Sequence, residues 1–265
     1  MTNSISDPRD VPPSGEVDSS DDAQNPVRTG KVAILLPTYN ERENIEDLIR
    51  AILGLGIEDI EIVVADDNSP DGTGRYAEEL SRTDPRIVPL VRTENPGRGV
   101  AGIAGFIMAL ERGADYLVEM DADFSHASSV IPHLLAPLQE GRADLSVGSR
   151  FVKGGRDLDR PFVRKLVTEV ARRYVRITLG LPMEDVTSGY RAFTRAALQA
   201  IESETMISVG PSIVEEVYFR VSRKGLRIME YPIVFEDRKR GESNLTFGKL
   251  IQVLTFVIGL RFRGW

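Results

Sequence analysis

Asp121-Ala122-Asp123 directly follows an expected strand at residues 116–120. Two carboxylates one residue apart at a strand end can converge on a hard divalent cation, whose shell is completed by phosphate oxygens and water. The same pair also reads as solvated turn carboxylates. Nearby, His126 is either a nitrogen ligand for manganese or a hydrogen-bonding turn residue, and His133 reads as structural. A second polar loop, Asp66-Asp67-Asn68-Ser69-Pro70-Asp71-Gly72-Thr73, follows the apolar run 60–65. It reads as an Asx-Pro turn with a helix cap, or as a set of acceptors for a nucleobase or ribose. Pro37-Thr38-Tyr39-Asn40-Glu41 follows another apolar run, 32–36. Gly97, Gly99 and Gly102 fit G-x-G-x-x-G but follow the third strand of the pattern, where close packing explains them better than a dinucleotide. No phosphate loop of the G-x-x-x-x-G-K-[ST] type occurs.

The elements that must position these loops follow from hydrophobic periodicity. Continuous apolar runs at 32–36 and 60–65 predict buried strands of a parallel sheet. Between them Ile45, Leu48, Ile49 and Ile52 recur at helical spacing, with Glu41 and Glu43 read as an acidic first turn. Further strands are expected at 87–91, 116–120 and 145–147, with helices near 100–111 and 129–139. This α/β half ends near Arg150. The segment 150–191 is strongly basic, and helices near 161–179 and 212–223, a strand near 227–235 and an apolar run at 250–260 complete the chain. Three polar loops therefore fall along one sheet edge, where open α/β sheets bind ligands.

The chain has 265 residues, 42% hydrophobic and 28% charged, the composition of a globular protein. It contains no cysteine, which excludes disulfides, thiolate metal sites and a cysteine nucleophile. A net charge of −7 argues against nucleic acid as a partner. Residues 1–30 are rich in Pro, Ser and Asp and read as a disordered acidic tail. With no apolar stretch long enough to span a bilayer and no apolar leader, the expected location is the cytoplasm.

Taken in order, Pro37 to Glu41, Asp66 to Thr73, Asp121-Ala122-Asp123, Gly148-Ser149-Arg150, Thr187-Ser188-Gly189-Tyr190-Arg191 and the run from Arg238 to Leu245 resemble the motifs of family 2 glycosyltransferases. Within that family the chain most resembles the dolichol- and polyprenol-phosphate mannose synthases, over about residues 31–260. The resemblance implies a GT-A type, Rossmann-like α/β fold that binds a nucleotide sugar, with a mainly parallel sheet flanked by helices. It divides the chain into the tail, a catalytic domain at 31–246 and an amphipathic, membrane-proximal helix at 247–265.

Carried over by position, the resemblance assigns Pro37, Tyr39, Glu41, Val64, Asp66 and Ala122 to the nucleotide sugar. Asp121 and Asp123 would hold Mg²⁺ or Mn²⁺ on the donor diphosphate. Arg150, Arg164 and Thr168 would meet the acceptor phosphate, and Arg238 would close over the donor from a loop. Asp121, Asp123, Arg150 and Arg238 form the implied catalytic set. Asn244 stands where the family carries a phosphate-pairing lysine, a role that Lys239 or Arg240 can take over. Residues 158–162 lack the family's tryptophans, and Arg172 and Arg173 replace small polar residues.

The implied reaction moves mannose from GDP-mannose to a polyprenyl phosphate with inversion, at the cytoplasmic face of a membrane. UDP-glucose as donor is a second possibility, and a non-catalytic nucleotide-sugar-binding protein a third. Transfer to a sugar hydroxyl would need a carboxylate base, for which Glu215 and Glu216 are the candidates. Phe247, Leu250, Ile251, Leu254, Val257, Ile258 and Arg261 recur at helical spacing with cations on either side, which suits an anionic lipid surface. The alternatives are docking of that helix on its own domain and recruitment by a membrane-protein partner.

Overall fold

The computed structural model describes residues 29–158, 162–235 and 247–263. Residues 1–28 of the acidic tail, Arg238 to Asn244 and the side chain of Arg164 lie outside the described residues. The chain alternates strands β1 (Val32–Thr38), β2 (Ile60–Asp66), β3 (Ile87–Val91), β4 (Tyr116–Glu119) and β5 (Leu145–Ser149) with helices α1 (Ile45–Leu53), α2 (Thr73–Ser81), α3 (Arg98–Glu111) and α4 (Ile131–Gln139). There follow β6 (Arg156–Asp157), α5 (Phe162–Leu179), β7 (Arg191–Thr194), α6 (Arg195–Ala200), α7 (Ile213–Arg223), β8 (Ile228–Pro232), β9 (Val234–Phe235) and α8 (Phe247–Phe262).

Seven strands form one sheet in the order β3-β2-β1-β4-β7-β5-β8, parallel except for β7. Alternation along β1 sends Ala33 and Leu35 to one face and Val32, Ile34 and Leu36 to the other. The first face packs with Phe106 of α3, Val175 of α5 and Val217 of α7, and the second with Leu48 of α1 and Leu134 of α4. Burying each such side chain stabilises the fold by about 1.5–3 kcal/mol. Pro37 does not stop β1 as the sequence suggests. Pairing to β4 ends at Leu35, while pairing to β2 continues to Thr38, so the proline lies where only one neighbour remains.

Three other expectations need correction. First, α1 begins at Ile45 with Glu46 and Asp47 in its first turn, because the Glu41 backbone N–H donates to Thr73 Oγ1 at 3.0 Å and holds residue 41 in the loop. Second, no seam falls at Arg150. Strand β7, from the basic segment, inserts antiparallel between β4 and β5 and joins both parts into one sheet. Third, the strand expected at 227–235 divides at Ile233, whose N–H donates to Ser149 while its carbonyl accepts from Arg156. Beyond that point β9 pairs with β6 in a separate two-stranded sheet.

The glycine fingerprint is spent on packing. A Cβ on Gly99 would lie 2.7 Å from the carbonyl oxygens of both Ser208 and Gly210, and one on Gly97 would lie 2.4 Å from that of Val209. The start of α3 thus presses on the 208–210 loop, and the Gly99 N–H donates to Val209 O at 2.9 Å. Helix α8 docks through Val257 and Leu260, both in the core, and the Tyr174 hydroxyl donates to Leu254 O at 3.0 Å. The apolar stripe expected to face lipid is therefore divided, since Val257 is buried while Ile258 is exposed; the side chains of Phe247, Leu250 and Ile251 lie outside the described residues. Among the described residues no helix is long and apolar enough to cross a membrane.

Candidate active site

The loops after β1, β2 and β4 each contain a non-glycine residue with a left-handed backbone: Asn40 at φ 61°, Asn68 at φ 52° and Phe124 at φ 61°. Asparagine tolerates this region. A phenylalanine there is strained by about 1–3 kcal/mol, which the surrounding fold must sustain. The turn it makes lies within the acidic motif, where Asp123 Oδ1 accepts the Ser125 N–H at 3.0 Å.

The β1 and β2 loops are laced together. Asp66 is fully buried and accepts from Thr38 Oγ1 at 3.0 Å and from the Ser69 N–H at 2.8 Å. Ser69 Oγ in turn accepts the Asn40 N–H, and Asp71 accepts the Arg42 N–H, each at 3.0 Å. Asp67 pairs with Arg92 and accepts the Gly97 N–H at 2.7 Å, which ties this loop to α3. Of the residues assigned to the nucleotide sugar, Pro37, Val64, Asp66 and Ala122 are buried, Glu41 is half-buried and Tyr39 is exposed. Tyr39 and Glu41 thus face solvent at this edge, while Asp66 organises the loops behind them.

A charge relay runs inward from the acidic motif. Arg98 Nη2 donates to Asp121 Oδ1 at 3.2 Å and Arg98 Nη1 to Glu119 Oε1 at 2.8 Å, and Arg191 Nε donates to Glu119 Oε2 at 2.8 Å. Burial alone would raise the Glu119 pKa, but Arg191 and Arg98 outweigh it and hold the carboxyl below its ordinary value. Burial likewise opposes the charge on Arg98, and Glu119 and Asp121 more than restore it. Neither Arg98 nor Glu119 is singled out by sequence motif. A signal existed, since a glutamate in a fully buried strand must have a cationic partner.

Among the described residues no three His, Asp or Glu side chains converge as a complete metal cage. The donor set still fits a hard cation. Asp121 and Asp123 are oxygen ligands at a strand end, and the Ser125 hydroxyl in the same turn is buried without a hydrogen-bond partner. His126 is not free to complete the set through Nδ1, which accepts the Asp121 N–H at 3.2 Å while its ring stacks on Tyr190. Its burial lowers its pKa and favours the neutral imidazole. His133 stacks on Tyr231, a packing role.

Across from the acidic motif, Arg150 is buried and held bidentately by Asp185, Nε to Oδ2 at 2.8 Å and Nη2 to Oδ1 at 2.9 Å. Its Nη2 also donates to Thr187 Oγ1 at 2.6 Å. Burial would raise the Asp185 pKa, and Arg150 overrides it to keep the carboxylate ionised. A cleft of about 280 Å³ joins these groups: Arg98, Asp121, Arg150, Thr168, Thr187 and Glu215 line it, with Val167, Val175, Val253 and Leu254 as apolar walls. Arg164 lies four residues before Thr168 on α5, so their backbone positions share a helix face. Glu216, one of the two candidate bases, is committed elsewhere, because its buried carboxylate accepts from the Ser208 N–H at 2.9 Å and from Arg220 Nη2 at 2.8 Å.

A mainly parallel sheet carrying strand-end carboxylates beside a cleft lined by Arg98 and Arg150 is the arrangement of a GT-A glycosyltransferase. Comparison with known proteins narrows this class: the chain belongs to glycosyl transferase family 2, which matches residues 33–202. It is 40% identical over 238 residues to an undecaprenyl-phosphate mannosyltransferase from Micrococcus luteus, covering 88% of this chain and 97% of that one. A polyprenol monophosphomannose synthase from Mycolicibacterium smegmatis is 37% identical over 255 residues, covering 96% of each. Among solved structures, glucosyl-3-phosphoglycerate synthase from Mycobacterium tuberculosis, in complex with Mn²⁺, UDP and glucosyl-3-phosphoglycerate, superposes with a TM-score of 0.61 at 23% identity. That match covers 87% of this chain and 78% of that one, and it speaks to the fold.

Proposed function

We propose that this glycosyltransferase moves mannose from GDP-mannose to a polyprenyl phosphate, with inversion at the anomeric carbon, at the cytoplasmic surface of a membrane. The observation that carries the reading is the cleft, polar where it meets Asp121 and Arg150 and apolar between α5, α7 and α8. An acceptor with an anionic head and a hydrocarbon tail matches that gradient, and two relatives bear names for this acceptor class.

A phosphate monoester has a second pKa near 6, so the acceptor arrives already ionised and needs no general base. Arg150, Thr168 and Arg164 position it. Attack of its oxygen forms the new bond to the anomeric carbon as the bond to the nucleotide diphosphate breaks, and no proton moves. Asp121 and Asp123 would hold Mg²⁺ or Mn²⁺, which when bound stabilises negative charge on the leaving diphosphate. The laced β1 and β2 loops present Tyr39 and Glu41 to the nucleotide in a preorganised edge, and Arg238 and Asn244 would act on the donor diphosphate.

UDP-glucose remains the second donor reading, favoured by the UDP-bound structural neighbour. One assay separates the two. Purified protein is incubated with Mn²⁺, a short polyprenyl phosphate and radiolabelled GDP-mannose or UDP-glucose, then extracted into organic solvent. Metal-dependent label from GDP-mannose is the expected result. Label from UDP-glucose alone would replace the donor, and none from either would overturn the reading.

A further inference from the structure

Glu215 is unused by the reaction as written. It sits in the first turn of α7, 6% exposed, and its Oε2 has no hydrogen-bond partner among the described residues. A buried carboxyl in that condition has either an uncompensated cost or a ligand. It lines the same cleft as Arg150, Thr168 and Thr187, where an ionised carboxylate would repel an anion and a protonated one would hydrogen-bond to it. We propose that Glu215 is a second contact to the acceptor phosphate, donating a hydrogen bond from its protonated carboxyl, and that losing this proton weakens acceptor binding. The proposal rests on the phosphate-acceptor reading and deepens it.

The surroundings favour the protonated form. Burial pushes the carboxyl up to about 7, against smaller opposing effects of a hydrogen bond from its own backbone N–H and of Arg191. Arg191 is itself spent on Glu119, and Arg98 on Glu119 and Asp121. Arg150 is spent on Asp185, and Arg195 of α6 donates to the carbonyls of Ala114 and Leu110. From α5 and α8 the cleft receives Thr168, Val253 and Leu254, none of which titrates. On α7 itself the Tyr218 hydroxyl donates to Ser188 O and Glu216 pairs with Arg220. No described cation is left to neutralise Glu215, and an arriving phosphate dianion would hold its proton more firmly.

The test measures binding of a short polyprenyl phosphate to the whole chain by calorimetry, at about pH 6.5 and about pH 8.5 and in buffers of different ionisation enthalpy. The native chain is expected to take up a proton on binding near neutral pH and to lose about tenfold in affinity between the two conditions. Glu215→Gln keeps a donor and cannot ionise, so it should bind at both pH values with no extra proton uptake. Glu215→Leu should bind several-fold more weakly than Glu215→Gln at either pH, and if it does not fold by thermal melting, the glutamine variant decides alone. Identical pH dependence and proton uptake in native and Glu215→Gln protein would overturn the role of Glu215 while leaving the acceptor intact. Absence of any lipid-phosphate binding alongside normal nucleotide-sugar binding would overturn the acceptor reading and this proposal with it.

Discussion

The edge proposed for the donor and the cleft proposed for the acceptor hold their polar groups by different means. At the donor edge, carboxylates and hydroxyls cap backbone N–H groups within and between turns, as Asp66, Ser69 and Asp71 do. In and behind the cleft, ions hold ions: Arg150 on Asp185, Arg191 on Glu119, Arg98 on Glu119 and Asp121. Capped turns are cheap to form, and they can be buried, as Asp66 and Ser69 are, because the backbone N–H groups satisfy them. Buried ion pairs give back most of their attraction as desolvation, but removing one partner leaves a bare charge in a dry place. The cleft should therefore be fragile to single substitutions that the donor edge tolerates in stability and answers in rate.

Asp123→Ala should show the largest effect, a loss of about a hundredfold or more in transfer rate with a fold cost of about 1 kcal/mol. Turnover with Mg²⁺ and a thermal melt check both, and undiminished turnover would remove Asp123 from the metal. Asp185→Ala tests the opposite side. It strands the Arg150 guanidinium and should cost about 3–5 kcal/mol in urea unfolding, with a raised KM for acceptor in whatever folds. A cost below about 1 kcal/mol would erase the contrast between the two regions.

The third prediction concerns pH. Folding raises Glu215 from its ordinary 4.5 to about 7, so between those values the folded chain keeps a proton that the unfolded chain has lost. The associated stability is full below 4.5 and is lost as pH rises through about 7, and over the window it amounts to about 3 kcal/mol. Across this range native protein should lose about 1.4 kcal/mol of stability per pH unit more than Glu215→Gln protein, and equal slopes would mean that the carboxyl does not titrate where its burial implies. Smallest is the membrane effect. Replacing exposed Ile258 and Phe262 by serine should reduce co-sedimentation with anionic liposomes a few-fold without shifting the melt, and high salt should remove the remainder. Deleting all of α8 would not test this, because Val257 and Leu260 belong to the core.

The loops after β1 and β2 are legible in the sequence because they are contiguous and follow strongly apolar strands. The run 60–65 and the turn after it are written in adjacent residues, and β2 ends one residue later, at Asp66. The cleft was not legible in the same way. Arg150 and Asp185 are 35 residues apart and Glu119 and Arg191 are 72 apart, distances over which no local periodicity reports. Arg98 lies between Gly97 and Gly99, and nothing local in that glycine pattern marks it as an ion-pair partner of Glu119. Strand β7 has four residues and opens with an arginine, so neither length nor alternation marks it, and only its place between β4 and β5 makes it a strand.

That inserted strand also dictates an order of assembly. As the chain emerges from a ribosome, β1 to β4 can pair as soon as each is made, yet β4 keeps one open edge until residues 191–194 appear. Strand β5, made earlier, cannot join the sheet in its final place before then, because β7 separates it from β4. For the intervening synthesis the nascent protein carries an unpaired edge of buried-type residues, a template for association with other chains. The step that closes this edge, late and dependent on long-range contacts, is where slow folding and losses to aggregation should concentrate.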